Sequence, residues 1–434
     1  MTAETPDPTA AAAVPATPPE QGAAGPSILR GAGIVAISLG LVQVFGYLLN
    51  VAGARLLTQS EFGALASLLN LVIIGNVVAF GLQAVAARLV VTSATPERDA
   101  VGARILRFGV SAGALLAVVG LLSSPIIGSL LHQSGAFVVA CVALMLAPLT
   151  VAGGQYGLAQ GREQHLRLGT LLIVTGVGRL LGGLVGLLAF GTVTGTIALM
   201  CLGTWLGATV GMLIVRRIAT GPPVVIKDLR WQVIHASHAM FALFVATSVD
   251  LLLARFYLTG PESGAYAVGA IVTKIAFWLP AFIAVVAFPR MADDRRQQTT
   301  AIAAGAVAAI GAVLVLALAL MPGLVIAVVA GDEYTSLAPD LWIFGLIGAA
   351  FSLAQFLLYS RLAVDDRRAV FALWAAVVFI FAGVSVWHAS VAQVATVVAV
   401  VALALSAVGV ASLIMDRRHG VPHPGEGLDS LERA

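Results

Sequence analysis

Apolar residues run along almost the whole chain in stretches of twenty or more, broken at intervals by arginines, prolines or short polar turns. Read between those breaks, the stretches predict twelve helices at 31–54, 63–87, 108–131, 136–158, 168–190, 193–215, 234–257, 264–288, 300–329, 341–363, 369–388 and 391–415. Each is close to the roughly 20 residues that a hydrocarbon core of about 30 Å demands of a helix. The run over 300–329 is long enough to tilt or kink, and Pro322 lies near one end of it; Pro125, Pro148 and Pro280 also fall within spans. The fold class expected is an all-α polytopic membrane protein.

The breaks fix an orientation. Twenty of the 24 lysines and arginines fall on one side of the twelve spans, and only Arg55 and Arg255 on the other, with Arg179 and Lys274 inside spans. Basic residues concentrate on the cytoplasmic side of membrane proteins, so both termini are expected in the cytoplasm and the protein in the inner or plasma membrane. Composition agrees: the 434 residues are 59% hydrophobic and 10% charged, whereas a soluble domain is about 25% charged. The net charge of +3 reflects this topological bias, and nucleic-acid binding is not expected.

The two ends differ in kind from the rest. Residues 1–27 are rich in Ala, Pro and Thr and lack the basic and apolar regions of a signal peptide, so a solvated tail is expected there. Residues 417–434 read the same way. The chain repeats itself once. ARLLTQSEFGALA at 54–66 matches ARFYLTGPESGAYA at 254–267, aligning Arg55 with Arg255, Glu61 with Glu262 and Gly63 with Gly264. Each copy joins the first and second helix of a six-helix set, so two parallel halves are expected, at 28–217 and 233–416, linked by the basic segment 218–232. Parallel repeats with a binding site between them are a transporter plan.

Candidate chemistry lies in the few polar residues within the spans. Arg179 and Lys274 are expected near the midplane and Asp250 slightly towards the sparsely charged side; each costs about 2.5–3.5 kcal/mol to place at a helix centre. One acid cannot neutralise two cations, which points to a cationic cavity for an anionic ligand, although a structural pair of Asp250 with Lys274 or Arg255 is the alternative for the acid. Uncharged polar residues add stripes: Gln43, Tyr47 and Asn50 on the first span, Asn76 and Gln83 on the second, and Ser352, Gln355 and Tyr359 on the tenth. These would line a wet interior or bond helix to helix in a dry one. Arg55 and Arg255 are candidates for an outer mouth, against the alternative of snorkelling to headgroups. Cys141 and Cys201 sit in apolar runs as small hydrophobes. Histidine and cysteine spacing suggests no metal, no phosphate-binding glycine loop of the ATP-using type occurs, and no cofactor is expected.

The strings ARLLTQSEFGALASL and GAYAVGAIVTKIAFWLPAFIAVVAFPRM, with Tyr266, Lys274, Pro280 and Phe288-Pro289-Arg290, together with LAQGREQHLRLG followed by Gly178-Arg179-Leu180, resemble the polysaccharide-flippase branch of the multidrug/oligosaccharidyl-lipid/polysaccharide exporter superfamily. The resemblance spans about residues 30–415. It implies two six-helix lobes around a central cavity that opens alternately to each side. It also implies a cargo of undecaprenyl-pyrophosphate-linked oligosaccharide, membrane lipids as surroundings, and glycosyltransferases or a polymerase of a polysaccharide pathway as partners. A cation-coupled multidrug or small-molecule antiporter of the same superfamily is the nearest rival, with Asp250 as its exchangeable acid. A membrane-embedded polymerase or ligase is further off, because the largest outer loop, 331–340, is short and its acids lack a basic or metal partner. The chain is read as a transporter and not an enzyme.

Overall fold

The computed structural model describes residues 26–133, 135–222, 224–279, 296–362 and 368–419. Within those ranges nothing is described of the side chains of residues 26–30, 32, 239, 296–300, 358–362, 368–369 and 416–419. Tyr359 falls among these side chains, and Pro280, Phe288, Pro289 and Arg290 lie outside the described residues altogether.

The described residues are helical throughout, with short turns and no strand. The first set of helices is α1 (Pro26–Leu56), α2 (Gln59–Gly75), α3 (Val77–Thr92), α4 (Arg98–Leu130), α5 (Ala136–Gly161), α6 (His165–Phe190) and α7 (Val193–Val215). The second is α8 (Leu229–Ala246), α9 (Val249–Tyr257), α10 (Gly260–Trp278), α11 (Arg296–Leu320), α12 (Pro322–Val329), α13 (Leu341–Leu362), α14 (Arg368–Val386) and α15 (Val391–His419). Within the described residues, every expected span coincides with a helix or a broken pair of helices. Among the described residues, nine helices are long and apolar enough to cross a membrane, or ten if the bent pair α8–α9 is one span. Twelve remains the number expected from the sequence: α10 ends at Trp278, shortly before residues outside the description, and the apolar helix Val370–Val386 is shorter than the rest.

Lipid is the natural complement of such a surface. Leu122, Ile126, Leu188, Val313, Leu320 and Phe379 all point outward, whereas the interior is a continuous apolar core that includes Leu65, Met145, Tyr266 and Phe344. With no hydrophobic force between helices inside a bilayer, close packing must come from small side chains. Gly182 and Gly186 on α6 meet Leu199 and Gly195 on α7, and Gly203 on α7 meets Gly178 on α6, so tightly that an added methyl at Gly182, Gly186, Gly195 or Gly203 would press on the facing helix.

Spans are broken at polar or proline residues. Asn76 separates α2 from α3; its amide bonds back to Val72, and its side-chain oxygen is buried without a partner. Thr247 and Ser248 separate α8 from α9, which are bent by 43°. The expected kink near Pro322 is the boundary between α11 and α12, because proline removes a helix hydrogen bond and clashes with the preceding turn.

The two halves meet where the repeated strings meet. Thr58 and Glu61 form a capping box at the start of α2, and Thr259 and Glu262 form the matching one at the start of α10. The Thr-x-x-Glu spacing thus explains why these letters recur: each side chain satisfies an orphan amide of the other. The two capped turns then cross. Gly63 faces Ser263 and the amide of Gly264, which would lie 2.8 Å from an added methyl carbon, and Gly264 faces the carbonyl of Gln59. Gly264→Ala is expected to lower stability by about 1–3 kcal/mol through overpacking against backbone. Gly40→Ala, in open space on α1, should leave the thermal midpoint in detergent unchanged or raised. Equal midpoints for Gly264→Ala and the unmodified chain would contradict the crossing.

Candidate functional site

At the junction the matched arginines act reciprocally. Arg55, from the first half, places Nη2 at 2.7 Å from the carbonyl oxygens of both Ala327 and Val328. Arg255, from the second half, donates Nε to Leu131 O at 2.9 Å and Nη2 to His132 O at 3.1 Å. Both acceptors are carbonyls at the C-terminal end of a helix, α12 in one case and α4 in the other. The last four carbonyls of a helix have no intrahelical donor and carry the negative pole of its dipole, so an arginine there supplies both the missing bonds and the opposite charge. Arg255 also donates Nη1 to Ser60 O at 3.2 Å and to Ser263 Oγ at 2.9 Å. It is 7% exposed, which excludes snorkelling for this residue. Gln59 Nε2 adds a further bond between the halves, to Glu333 O at 2.6 Å. The end of the bundle bearing Arg55 and Arg255 is therefore closed.

Deeper in the same junction, α2 lies along α10, and Lys274 Nζ donates to Asn70 Oδ1 at 3.2 Å. Asn70 is buried and donates its own amide to Ala66 O at 2.9 Å. Asp250, in the first turn of α9 beyond the bend, is buried and accepts the Tyr266 hydroxyl at 2.8 Å. Lys274 and Asp250 form no ion pair; Arg162–Asp99, at 2.5 Å, is the one ion pair among the described residues. The structural alternative of an Asp250–Arg255 pair is likewise not formed: Arg255 is occupied by the carbonyls.

Arg179 stands apart from this cluster. It lies on α6 in the first half, between Gly176, which packs on Val42 of α1, and Gly183, which packs on Leu49. Tyr156 of α5 is its titratable neighbour. The buried Nε of Arg179 has no hydrogen-bond partner, nor have Thr175 Oγ1 one turn earlier or Gln155 Oε1 on α5. The two expected midplane cations are thus on different helix pairs, with no contact joining them.

The uncharged stripes divide. Asn50 bonds within its own helix, to Gly46 O at 2.8 Å. Tyr47 is half-buried and Gln43 exposed on α1. Gln83 donates to Gln160 Oε1 at 3.0 Å, helix to helix. Asn76 marks the α2–α3 break, Ser352 is buried, and Gln355 on α13 is engaged by a partner. Residues that pattern reading passed over are Asn70, Tyr156 and Thr175. Asn70 was visible as the single amide in the run ALASLLNLVII; Tyr156 and Thr175 belong to none of the polar stripes read from the sequence.

These features define a multi-pass helical membrane protein whose two halves join at one end through reciprocal arginines and whose interior places Arg179 and Lys274 without an ion-pair partner among the described residues. No protein-family model and no curated protein sequence matches the chain. Solved structures do. The chain superposes on a lipid II flippase, MurJ, in its inward closed conformation with TM-score 0.70, 12% identity and coverage of 88% of this chain and 87% of that one. It superposes on an inward-facing multidrug-resistance transporter of the MATE family with TM-score 0.67, 9% identity and coverage of 89% and 97%. An outward-facing MATE transporter gives TM-score 0.59 at 12% identity, covering 89% and 95%. The two MATE transporters are described as members of the MOP superfamily, and this chain shares its fold with both kinds of neighbour.

Removing Arg255 strands three carbonyls and a hydroxyl in a buried place. Arg255→Gln is expected to destabilise the purified protein by about 1–3 kcal/mol, read as a drop in thermal midpoint, and to do so more than Arg55→Gln, whose side chain is exposed. Indistinguishable midpoints for Arg255→Gln and the unmodified protein would remove it from the junction.

Proposed function

We propose that this chain is a transporter working by alternating access in the inner or plasma membrane, with both termini cytoplasmic, and that its cargo is an anionic, lipid-linked oligosaccharide of the undecaprenyl-pyrophosphate type. The observation that carries the cargo class is the state of the interior charges. Arg179 keeps a buried donor with no partner, while the one acid near the spans' centre, Asp250, is already bonded to Tyr266. A free cation with no free acid favours an anion. Arg offers planar paired donors for phosphate oxygens, and Lys274 a compact point charge. The fold shared with a lipid II flippase supports a lipid-linked cargo, and the sequence resemblance supports the sugar and pathway enzymes as partners.

The arrangement suggests how the halves would move. With the Arg55/Arg255 end closed, cargo enters from the arginine-rich end. Parting of α2 from α10 would release Lys274 from Asn70 and bring it nearer Asp250, an exchange of partners that biases a two-state equilibrium. Cation-coupled multidrug export is the second reading. It is favoured by the same buried Asp250–Tyr266 pair, which is the one acid placed to exchange a proton or sodium ion, and by the likeness to multidrug transporters.

Mass spectrometry of lipid-linked sugars in cells depleted of this protein, with leaflet accessibility, separates the two. Accumulation of one glycan on the cytoplasmic leaflet is expected; an unchanged profile would discard the flippase reading and make Asp250→Asn the variant to test for antiport. Arg179→Ala and Lys274→Ala are expected to insert normally and to abolish export; normal export by both would sink the cationic site. Ser60→Cys with Gly260→Cys, where a carbon added at 260 would lie against the Ser60 side chain across the junction, should cross-link and stop transport until a reductant is added.

A further inference from the structure

The seam between the halves has a second feature, at the end opposite the arginine clasp. The last turns of α3 and the first two turns of α8 line an open cleft of about 600 Å³. Its polar rim is Arg88 from the first half and Trp231, Gln232 and His235 from the second; Val85 and Ala236 give it an apolar wall. Arg88 Nη2 donates to Gln232 Oε1 at 2.8 Å, and Gln232 donates in turn to Lys227 O at 3.0 Å. These bonds hold the guanidinium at the mouth and leave its other nitrogens free. Trp231 is 55% exposed, and the guanidinium carbon of Arg230 lies 5.7 Å above its ring. His235 follows Trp231 by one helical turn on the same face. No carboxylate lines the cleft.

We propose that this cleft is a headgroup site for an anionic phospholipid, with the phosphodiester between Arg88 and His235, the glycerol region against Trp231, and an acyl chain along Val85 and Ala236. Each part of the argument is independent of the transported cargo and rests only on the chain being a membrane protein. Tryptophan is enriched where hydrocarbon meets water, and basic pockets between spans on the arginine-rich side take anionic lipid headgroups. A positive rim with no acid selects charge, and the apolar wall separates a lipid from a free phosphate ion. Because the rim is shared between α3 and α8, an occupant joins the two halves at this edge. Its binding energy therefore favours the state in which α3 and α8 lie together over any state that parts them.

The test is native mass spectrometry of the purified full chain, delipidated and then titrated with phosphatidylglycerol, with phosphatidylcholine, or with inorganic phosphate. One phosphatidylglycerol is expected to be retained in preference to phosphatidylcholine, and millimolar phosphate is expected not to displace it. Arg88→Gln is expected to weaken that retention about fivefold, the scale of one basic side chain near an anionic surface, and His235→Ala to weaken it measurably by removing a hydrogen-bond donor. Arg107→Gln, an exposed arginine of the same end outside the cleft, should not weaken it. His235 is exposed and carries no packing role, so its variant keeps the test meaningful if Arg88→Gln loosens the seam. Equal retention of both lipids, displacement by phosphate, or equal loss with Arg107→Gln would each overturn the proposal.

Discussion

The last carbonyls of a helix have no donor within it, so a helix end is a point of the fold that needs a partner from elsewhere. Here two of those ends, the C-termini of α4 and α12, are completed by arginines from the opposite half. Most of the architecture around the junction rests on that exchange. It brings the start of α2 against the start of α10, which demands glycine at 63 and 264. It sets the depth at which Asn70 and Lys274 meet, and it seals one end of the space between the halves. The same two residues that give the halves their charge on that side also hold the halves together.

Much of this was legible in the chain itself. Runs of apolar residues marked the spans, since a bilayer imposes one length and one composition on all of them. The repeat at 54–66 and 254–267 marked the junction, and its Thr, Glu and Gly letters correspond to caps and to a close crossing. What pattern could not give was direction across the seam. Arg55 and Arg255 sit at helix ends, where a snorkelling arginine and an arginine bonded to another helix look identical in one dimension. The stripe on α1 looks like a wet face, yet Asn50 turns back on its own backbone. Gln83 looks like a lining residue and is bonded to Gln160 instead. Partner choice depends on which helices become neighbours, and that is a property of the three-dimensional packing.

The cations illustrate the same limit. Arg179 and Lys274 share a depth on the sequence, but one faces the α1 and α5 helices of its own half and the other reaches across to α2. Their different surroundings give them different chemistry: Lys274 bonds an amide oxygen across the junction, and Arg179 has an open donor. The break at Asn76 has a related effect. It divides one span so that α2 belongs to the closed junction and α3 to the seam with α8, and the two contacts need not open together.

The clasp at the junction is bivalent. When Arg55 lets go of α12, Arg255 still holds α4, and the freed guanidinium stays close to its acceptors at a very high effective concentration. Rebinding is then faster than separation, and a single broken contact heals before the halves drift. In the transport cycle proposed above, such a closure would rest fully shut or fully released, and the doubling of one short sequence within the chain would guard against a half-open mouth.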